Sequence, residues 1–193
     1  MIGFAGLTPA VAVSANGENL GGFQSFRYRR GPIELIGLLH TLSSSVPAGT
    51  SLRVREAGRA HTYNVLSGAD EGFGNEVSFI APDRGRPALF ARVPYAVEAL
   101  EIVCPESANP GDVIYYTVTL HATDKTAGDH VFNVRVTDPE GREVDLLSRN
   151  MLSTEGRFEG ALPFAYNAAP GAWSIEVRDV ISGKRARHTI ALQ

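Results

Sequence analysis

The run Leu89-Phe-Ala-Arg-Val-Pro-Tyr-Ala-Val-Glu-Ala-Leu-Glu-Ile-Val-Cys104 decides how this chain is divided. Each of its apolar halves reads as a β-strand, and Pro94 stands between them with almost no linker. Proline fixes its own φ and confines the preceding Val93 to extended conformations, so one strand passes stiffly towards the next. Val97, Leu100, Ile102 and Val103 are claimed at once by a second core. Working outward from this corner, the chain reads as two tandem all-β sandwiches. The first spans residues 1–96, with 1–22 as an entry strand and linker, and the second spans residues 97–193.

Composition agrees with that division. A chain of 193 residues accommodates two sandwiches, and 20 Gly with 11 Pro demand many turns. The net charge is −3 and the basic residues are scattered, which excludes the cationic footprint that a phosphate backbone requires. Cys104 is the single cysteine, so an intramolecular disulfide is ruled out, and its place at the end of an apolar strand beside Pro105 predicts an inert buried thiol. The apolar N-terminus lacks a positive n-region and is too short for a span, so neither a signal peptide nor a membrane partner is expected from it. No cofactor is expected.

In the first half, Asn16-Gly17 is a turn signal flanked by apolar residues. Phe26 and Tyr28 alternate with Arg27 and Arg29, which predicts a half-buried strand with the aromatics inside. Ile33 to Leu39, apolar but for Glu34 and Gly37, reads as a strand buried on both faces, with a helix the weaker option. Leu52 and Val54, then Tyr63 and Val65, predict a hairpin whose turn is Glu56 to Arg59. Val77 and Phe79, then Leu89, Phe90 and Val93, supply the last strands.

The second half alternates more cleanly. Ile114, Tyr116, Val118 and Leu120 share one face of a strand opened by Asn109-Pro110-Gly111-Asp112. Phe132, Val134 and Val136 form the next, and Asp138-Pro139-Glu140-Gly141 carries the residues of a type I turn, with Val144 and Leu146 expected on the returning strand. Trp173, Ile175 and Val177 lie in phase and predict a core tryptophan. With Leu100 to Val103 as the opening strand, this half has the seven-strand pattern of an immunoglobulin-like sandwich.

Few residues carry candidate chemistry. His121, Asp124, Asp129 and His130 flank one loop, where histidine and carboxylate ligands can bind zinc, against the plain alternative of a solvated loop. Asp70 to Glu76 offers oxygen ligands, but not at EF-hand spacing, and an acidic turn is the simpler reading. Glu34, Glu56, Glu76, Glu98 and Glu101 reveal no facing pair of the kind glycoside hydrolysis needs. No nucleophile-elbow or dinucleotide signature is present. Exposed aromatic rings are the remaining route to function, because sugar rings stack on flat faces. Tyr115, outward on its strand, and Tyr166, in a loop, are the carbohydrate-binding candidates.

A family likeness rests on these elements. The run Pro110-Gly111-Asp112-x-Ile-x-Tyr-x-Val, then His130-Val-Phe-x-Val-x-Val-x-Asp138-Pro-Glu-Gly141, then Ser148-Arg149-Asn150, then Pro170-Gly171-x-Trp173-x-Ile-x-Val-Arg-Asp179-x-x-x-Gly183 resembles an immunoglobulin-like accessory domain. Such domains lie at the C-terminal end of large bacterial proteins related to β-galactosidases and other glycoside hydrolases with a trimerisation-type domain. The first half, through Ile36-Gly37-Leu38-Leu39, Tyr63-Asn64-Val65 and Leu89-Phe90-Ala91-x-Val93-Pro94-Tyr95, is similar to the β-sandwich that closes those chains. The resemblance implies a non-catalytic accessory region whose partner is an upstream catalytic module, with subunit contacts and an oligomer left open. It implies an extracellular or periplasmic place if the parent chain carries a signal peptide. No catalytic residue carries over, because none of the family's active-site segments is present. A carbohydrate-binding module is the alternative, and an enzyme in its own right the more distant one.

Overall fold

A computed structural model describes residues 11–123 and 126–193, with only the backbone at residue 57. Every regular element among them is a β-strand, and the chain divides into two compact units, Met1–Pro94 and Tyr95–Gln193.

In the first unit the strands are β1 (Ala12–Ala15), β2 (Glu18–Asn19), β3 (Phe23–Arg30), β4 (Ile33–His40), β5 (Ser51–Asn64), β6 (Ala69–Ile80) and β7 (Pro87–Val93). They form one sheet in the order β2-β1-β5-β7-β4-β3, with β6 also paired to β5. Asn16 and Gly17, at φ 50° and 84°, make the tight turn between β1 and β2 with both central residues left-handed, as an Asn-Gly pair favours. Strand β5 carries the architecture. Its first part pairs with β1 (Val13 opposite Val54) and its last part with β7 (Thr62 opposite Arg92), the register to β6 shifting between Arg55 and Ala60. The sheet therefore folds over at that bulge, so that its two halves face each other as a sandwich. Leu52, Val54, Val77 and Phe79 from one layer share a core with Ile36, Leu38, Ala88 and Phe90 from the other. Phe79 meets Phe90 edge to face at 5.5 Å. Each such side chain, fully buried, contributes about 1.5–3 kcal/mol.

Three expectations are corrected here. Glu56 to Arg59 is not a hairpin turn but the bulge inside one continuous strand. Gly58 takes the left-handed φ of 84° that the irregularity needs, and Arg92 Nη2 donates to its carbonyl at 2.8 Å. The hairpin is β5 with β6, which turns at residues 65–68, so Asp70 to Glu76 lies in a strand rather than an acidic turn. Finally, β3 is an edge strand whose Arg27 pairs with Ile36, which turns the Phe23 and Arg27 face inward. Phe26 and Tyr28 face out, 58% and 60% exposed. Strand β4 is buried or half-buried along both faces, as its largely apolar run predicts.

The second unit contains β8 (Val97–Val103), β9 (Ser107–Ala108), β10 (Val113–Ala122), β11 (Val131–Thr137), β12 (Arg149–Leu152), β13 (Arg157–Pro163), β14 (Gly171–Asp179) and β15 (Arg185–Leu192). One sheet runs β13-β10-β8 and the other β12-β11-β14-β15-β9. Only β9, two residues long, pairs in parallel among these described ladders. Ile114, Tyr116, Val118 and Leu120 of the first sheet are buried, as are Phe132, Val134, Val136, Trp173, Ile175, Val177 and Ile190 of the second, in the period-2 order of an immunoglobulin-like sandwich. The Asp138 turn closes as expected, with Gly141 N–H donating to Asp138 O at 2.9 Å and Gly141 at φ 79°. The return differs. After a single bridge between Thr137 and Glu143 the chain turns through residues 145–147, Leu146 is exposed, and the strand that returns beside β11 is β12.

Candidate functional site

The aromatic candidates both reach solvent. Tyr115 stands on the outer face of β10 opposite Ala161 and is 73% exposed. Tyr166, in the loop after β13, is 90% exposed. Its ring lies on Gly111, where a Cβ would fall 2.5 Å from a ring carbon, and Gly111 holds the left-handed position of the Asn109–Asp112 turn at φ 88°. Trp173 is core, its Nε1–H donating to Ala169 O at 2.9 Å and its indole edge to face with Phe164 at 5.2 Å. Trp173 lines one side of a cleft of about 530 Å³ with Val144, Leu147 and Phe164, but only 7% of its surface is exposed there.

The histidines part company. His121 sits exposed on β10 with Nε2 2.9 Å from Glu101 Oε2. His130 is fully buried. Asp129 accepts the Glu155 N–H at 3.2 Å, and Asp124 lies outside the described residues. Among the described residues no group of three or more His, Cys, Asp or Glu side chains is placed to hold a metal ion. Within the Asp70–Glu76 segment, Asp70 accepts Gly72 N–H at 2.8 Å while Arg53 and Arg55 occupy the Glu76 carboxylate. Burial pushes the Cys104 thiol up to about 11, which keeps it protonated and non-nucleophilic near neutral pH.

Two polar constellations emerge only in three dimensions. The first binds His130 into the second unit. His130 Nδ1 lies 2.8 Å from Asp179 Oδ1, and Nε2 lies 3.0 Å from the Tyr95 hydroxyl, which accepts Gly128 N–H at 2.7 Å. Asp179 Oδ2 accepts both Ser182 N–H (2.8 Å) and Ser182 Oγ–H (2.6 Å), and Ser153 Oγ accepts His130 N–H at 2.9 Å. The set is satisfied with the His130 proton on Nδ1 donating to Asp179 and the Tyr95 hydroxyl donating to Nε2. Burial opposes ionisation of Asp179, but the hydrogen bonds from His130 and Ser182 outweigh it and hold the carboxyl below its ordinary range. The order Asp, His, Ser invites comparison with a hydrolase triad. Here, however, Ser182 is bonded to the aspartate instead of the histidine, and every member is shut off from solvent. The arrangement pins the β14–β15 turn and the approach to β11.

The second constellation brings Glu34 and Glu56 together inside the first unit. Glu34 Oε1 receives Arg27 Nε and Arg29 Nη2, each at 3.2 Å. Arg92 Nη1 lies 3.4 Å from Glu34 Oε2 and 3.6 Å from Glu56 Oε2, and Arg27 Nη2 also bonds Glu56. Glu56 Oε1 finds no hydrogen-bond partner among the described residues. Burial raises the Glu56 carboxyl, with Arg27 and Arg92 opposing the rise. The pairing of Glu34 with Glu56 is invisible in linear order, but a signal exists. A lone Glu34 within Ile33-Glu-Leu-Ile36 and a lone Arg92 within Phe90-Ala-Arg-Val93 are charges in doubly buried strands, which require partners.

No protein-family model and no curated protein sequence matches the chain. Among solved structures it is similar to a β-glucosidase from Listeria innocua, at 15% identity over 60% of this chain and 18% of that one, with a TM-score of 0.36. It is similar also to a Bacteroides uniformis β-glucuronidase, at 15% identity over 83% of this chain and 26% of that one, TM-score 0.32. The same bacterium's β-glucuronidase 2, covalently bound to cyclophellitol-6-carboxylate aziridine, gives 15% identity over 88% of this chain and 26% of that one, TM-score 0.30. The chain thus spans about a quarter or less of the length of these bacterial glycoside hydrolases. Likeness at this level leaves the activity and ligands of this chain to be argued from its own residues.

Proposed function

We propose that this chain is a non-catalytic C-terminal accessory region of a larger glycoside-hydrolase-like protein, giving structural support or interdomain and subunit contacts to an upstream catalytic module. The observation that carries the reading is the state of its facing carboxylates. A glycosidase pair needs one protonated acid and one free carboxylate, both open to substrate. Glu34 and Glu56 are instead buried and clamped by Arg27, Arg29 and Arg92, an arrangement that ties strands together. The sequence resemblance supports the same reading through its turn and strand motifs. The test is hydrolysis of a panel of 4-nitrophenyl β-glycosides by the purified chain. No turnover is expected, and turnover abolished by Glu34→Gln or Glu56→Gln would overturn the proposal.

A carbohydrate-binding module is the second reading, favoured by the exposure of Tyr115 and Tyr166. Retardation in affinity gels containing polysaccharide, lost on Tyr115→Ala or Tyr166→Ala, is its signature. Equal migration with and without every polysaccharide removes it.

A further inference from the structure

The rim of the Glu34–Glu56 constellation opens to solvent as a cleft of about 320 Å³, lined by Arg29, Glu34, Gly58, Arg59, Arg92 and Pro94. Its charges do not balance. Among the described residues buried Arg92, half-exposed Arg27 and the exposed Arg29 at the rim pair only with Glu34 and Glu56, which leaves one positive charge in excess. Arg59 then adds another, because its guanidinium sits over the Phe73 ring at 4.7 Å and pairs with no carboxylate among the described residues. This excess stands out in a chain whose net charge is −3. The fold also prepares the site. The bulge at Gly58 sends Glu56 inward and Arg59 outward, Arg92 is anchored by the Gly58 carbonyl, and Phe73 holds the Arg59 fork in place before any ligand arrives.

We propose that this cleft binds a small oxyanion group, a carboxylate or a sulfate, through Arg59 and Arg29, with Arg92 setting the positive potential behind them. Planar guanidinium forks match the paired oxygens of such a group, and a partly desolvated pocket with uncompensated positive charge favours an anion over a neutral ligand of the same shape. An acidic saccharide is one source of the group and an inorganic anion another. The raised Glu56 carboxyl is consistent with it, because any proton taken up there increases the cationic excess.

The test is calorimetric titration of the whole chain at fixed ionic strength with sodium sulfate, a hexuronate and the matching neutral hexose. Saturable binding of sulfate or hexuronate, absent for the hexose and weakened about tenfold by Arg59→Met and by Arg29→Met, is the expected result. Arg59→Lys, which keeps the charge but loses the fork, should fall between wild type and Arg59→Met. Arg53→Met, which removes a cation from another face, should change nothing. Hexuronate and sulfate binding together assigns the site to anionic groups including acidic sugars, and sulfate alone assigns it to inorganic anions. No saturable binding of either, equal binding of hexose and hexuronate, or binding unaffected by Arg59→Met overturns the proposal. These outcomes do not bear on hydrolysis, so they separate this site from the accessory role.

Discussion

Asp179→Asn tests the buried network of the second unit more directly than any other change. Wild-type Asp179 accepts hydrogen bonds from His130 Nδ1, Ser182 N and Ser182 Oγ at 2.8, 2.8 and 2.6 Å. An asparagine oxygen can keep the two from Ser182, but its amide N–H groups then face the His130 Nδ1–H, donor against donor. A hydrogen bond to a charged group contributes about 1.5–3 kcal/mol and a stranded buried donor costs about 1–3 kcal/mol, so the loss should be about 3 kcal/mol at pH 7. Trp173 is the only tryptophan and is buried in this unit, so its fluorescence in a urea titration follows this unit alone. With a denaturant slope of about 1–1.5 kcal/mol per M, the midpoint should fall by about 2 M. The pH dependence supplies the second check. The Asp179 carboxyl titrates below its ordinary 3.8 in the folded protein, so its ionised form contributes stability above that value and loses it as pH falls through the lower folded value. The gap between wild type and Asp179→Asn should therefore be constant from about pH 7 to 5 and narrow below about pH 4. A midpoint within about 0.3 M of wild type at pH 7, or a gap as wide at pH 3 as at pH 7, would refute the assignment.

Two further changes probe packing and reactivity. In Gly160→Ala the new Cβ would lie 2.4 Å from Tyr116 Cζ and 2.6 Å from its hydroxyl, so the buried ring must shift at a cost of about 1–3 kcal/mol. Tyr116→Val in the same chain should recover about 1 kcal/mol of that loss, and strictly additive losses in the Trp173 titration would show that the two side chains do not collide. Cys104, partly buried and raised from 9.0 to about 11, should react with a disulfide reagent at pH 8 about tenfold more slowly than in the urea-unfolded chain, because the loss of thiolate is partly offset by the greater nucleophilicity of a higher-pKa thiolate, and equal rates would contradict the shift.

Features encoded by local order are legible in the residues alone. Period-2 alternation places Ile114 to Leu120 and Trp173 to Val177 in a core because a strand's side chains alternate faces whatever the strand pairs with. The turns at Asn16-Gly17, Asn109–Asp112 and Asp138–Gly141 depend on φ preferences and bonds within a few residues. Alternation does not say which face is inside, however. On the edge strand β3 the aromatics Phe26 and Tyr28 lose the interior to Phe23 and Arg27, because pairing to β4 and the charges of Glu34 and Glu56 settle the matter.

The sequence by itself determined that this is an all-β protein with strands either side of Pro94, a buried Trp173 and tyrosines at 115 and 166 free to face solvent. Only the tertiary structure decided that β5 runs on through a bulge instead of turning, that His130 meets Asp179 across 49 residues, and that Glu34 and Glu56 share Arg92. The physical reason is the same in each case. A charge in an apolar strand announces that it needs a partner, but the partner is selected by strand register, and register is a property of the assembled sheet.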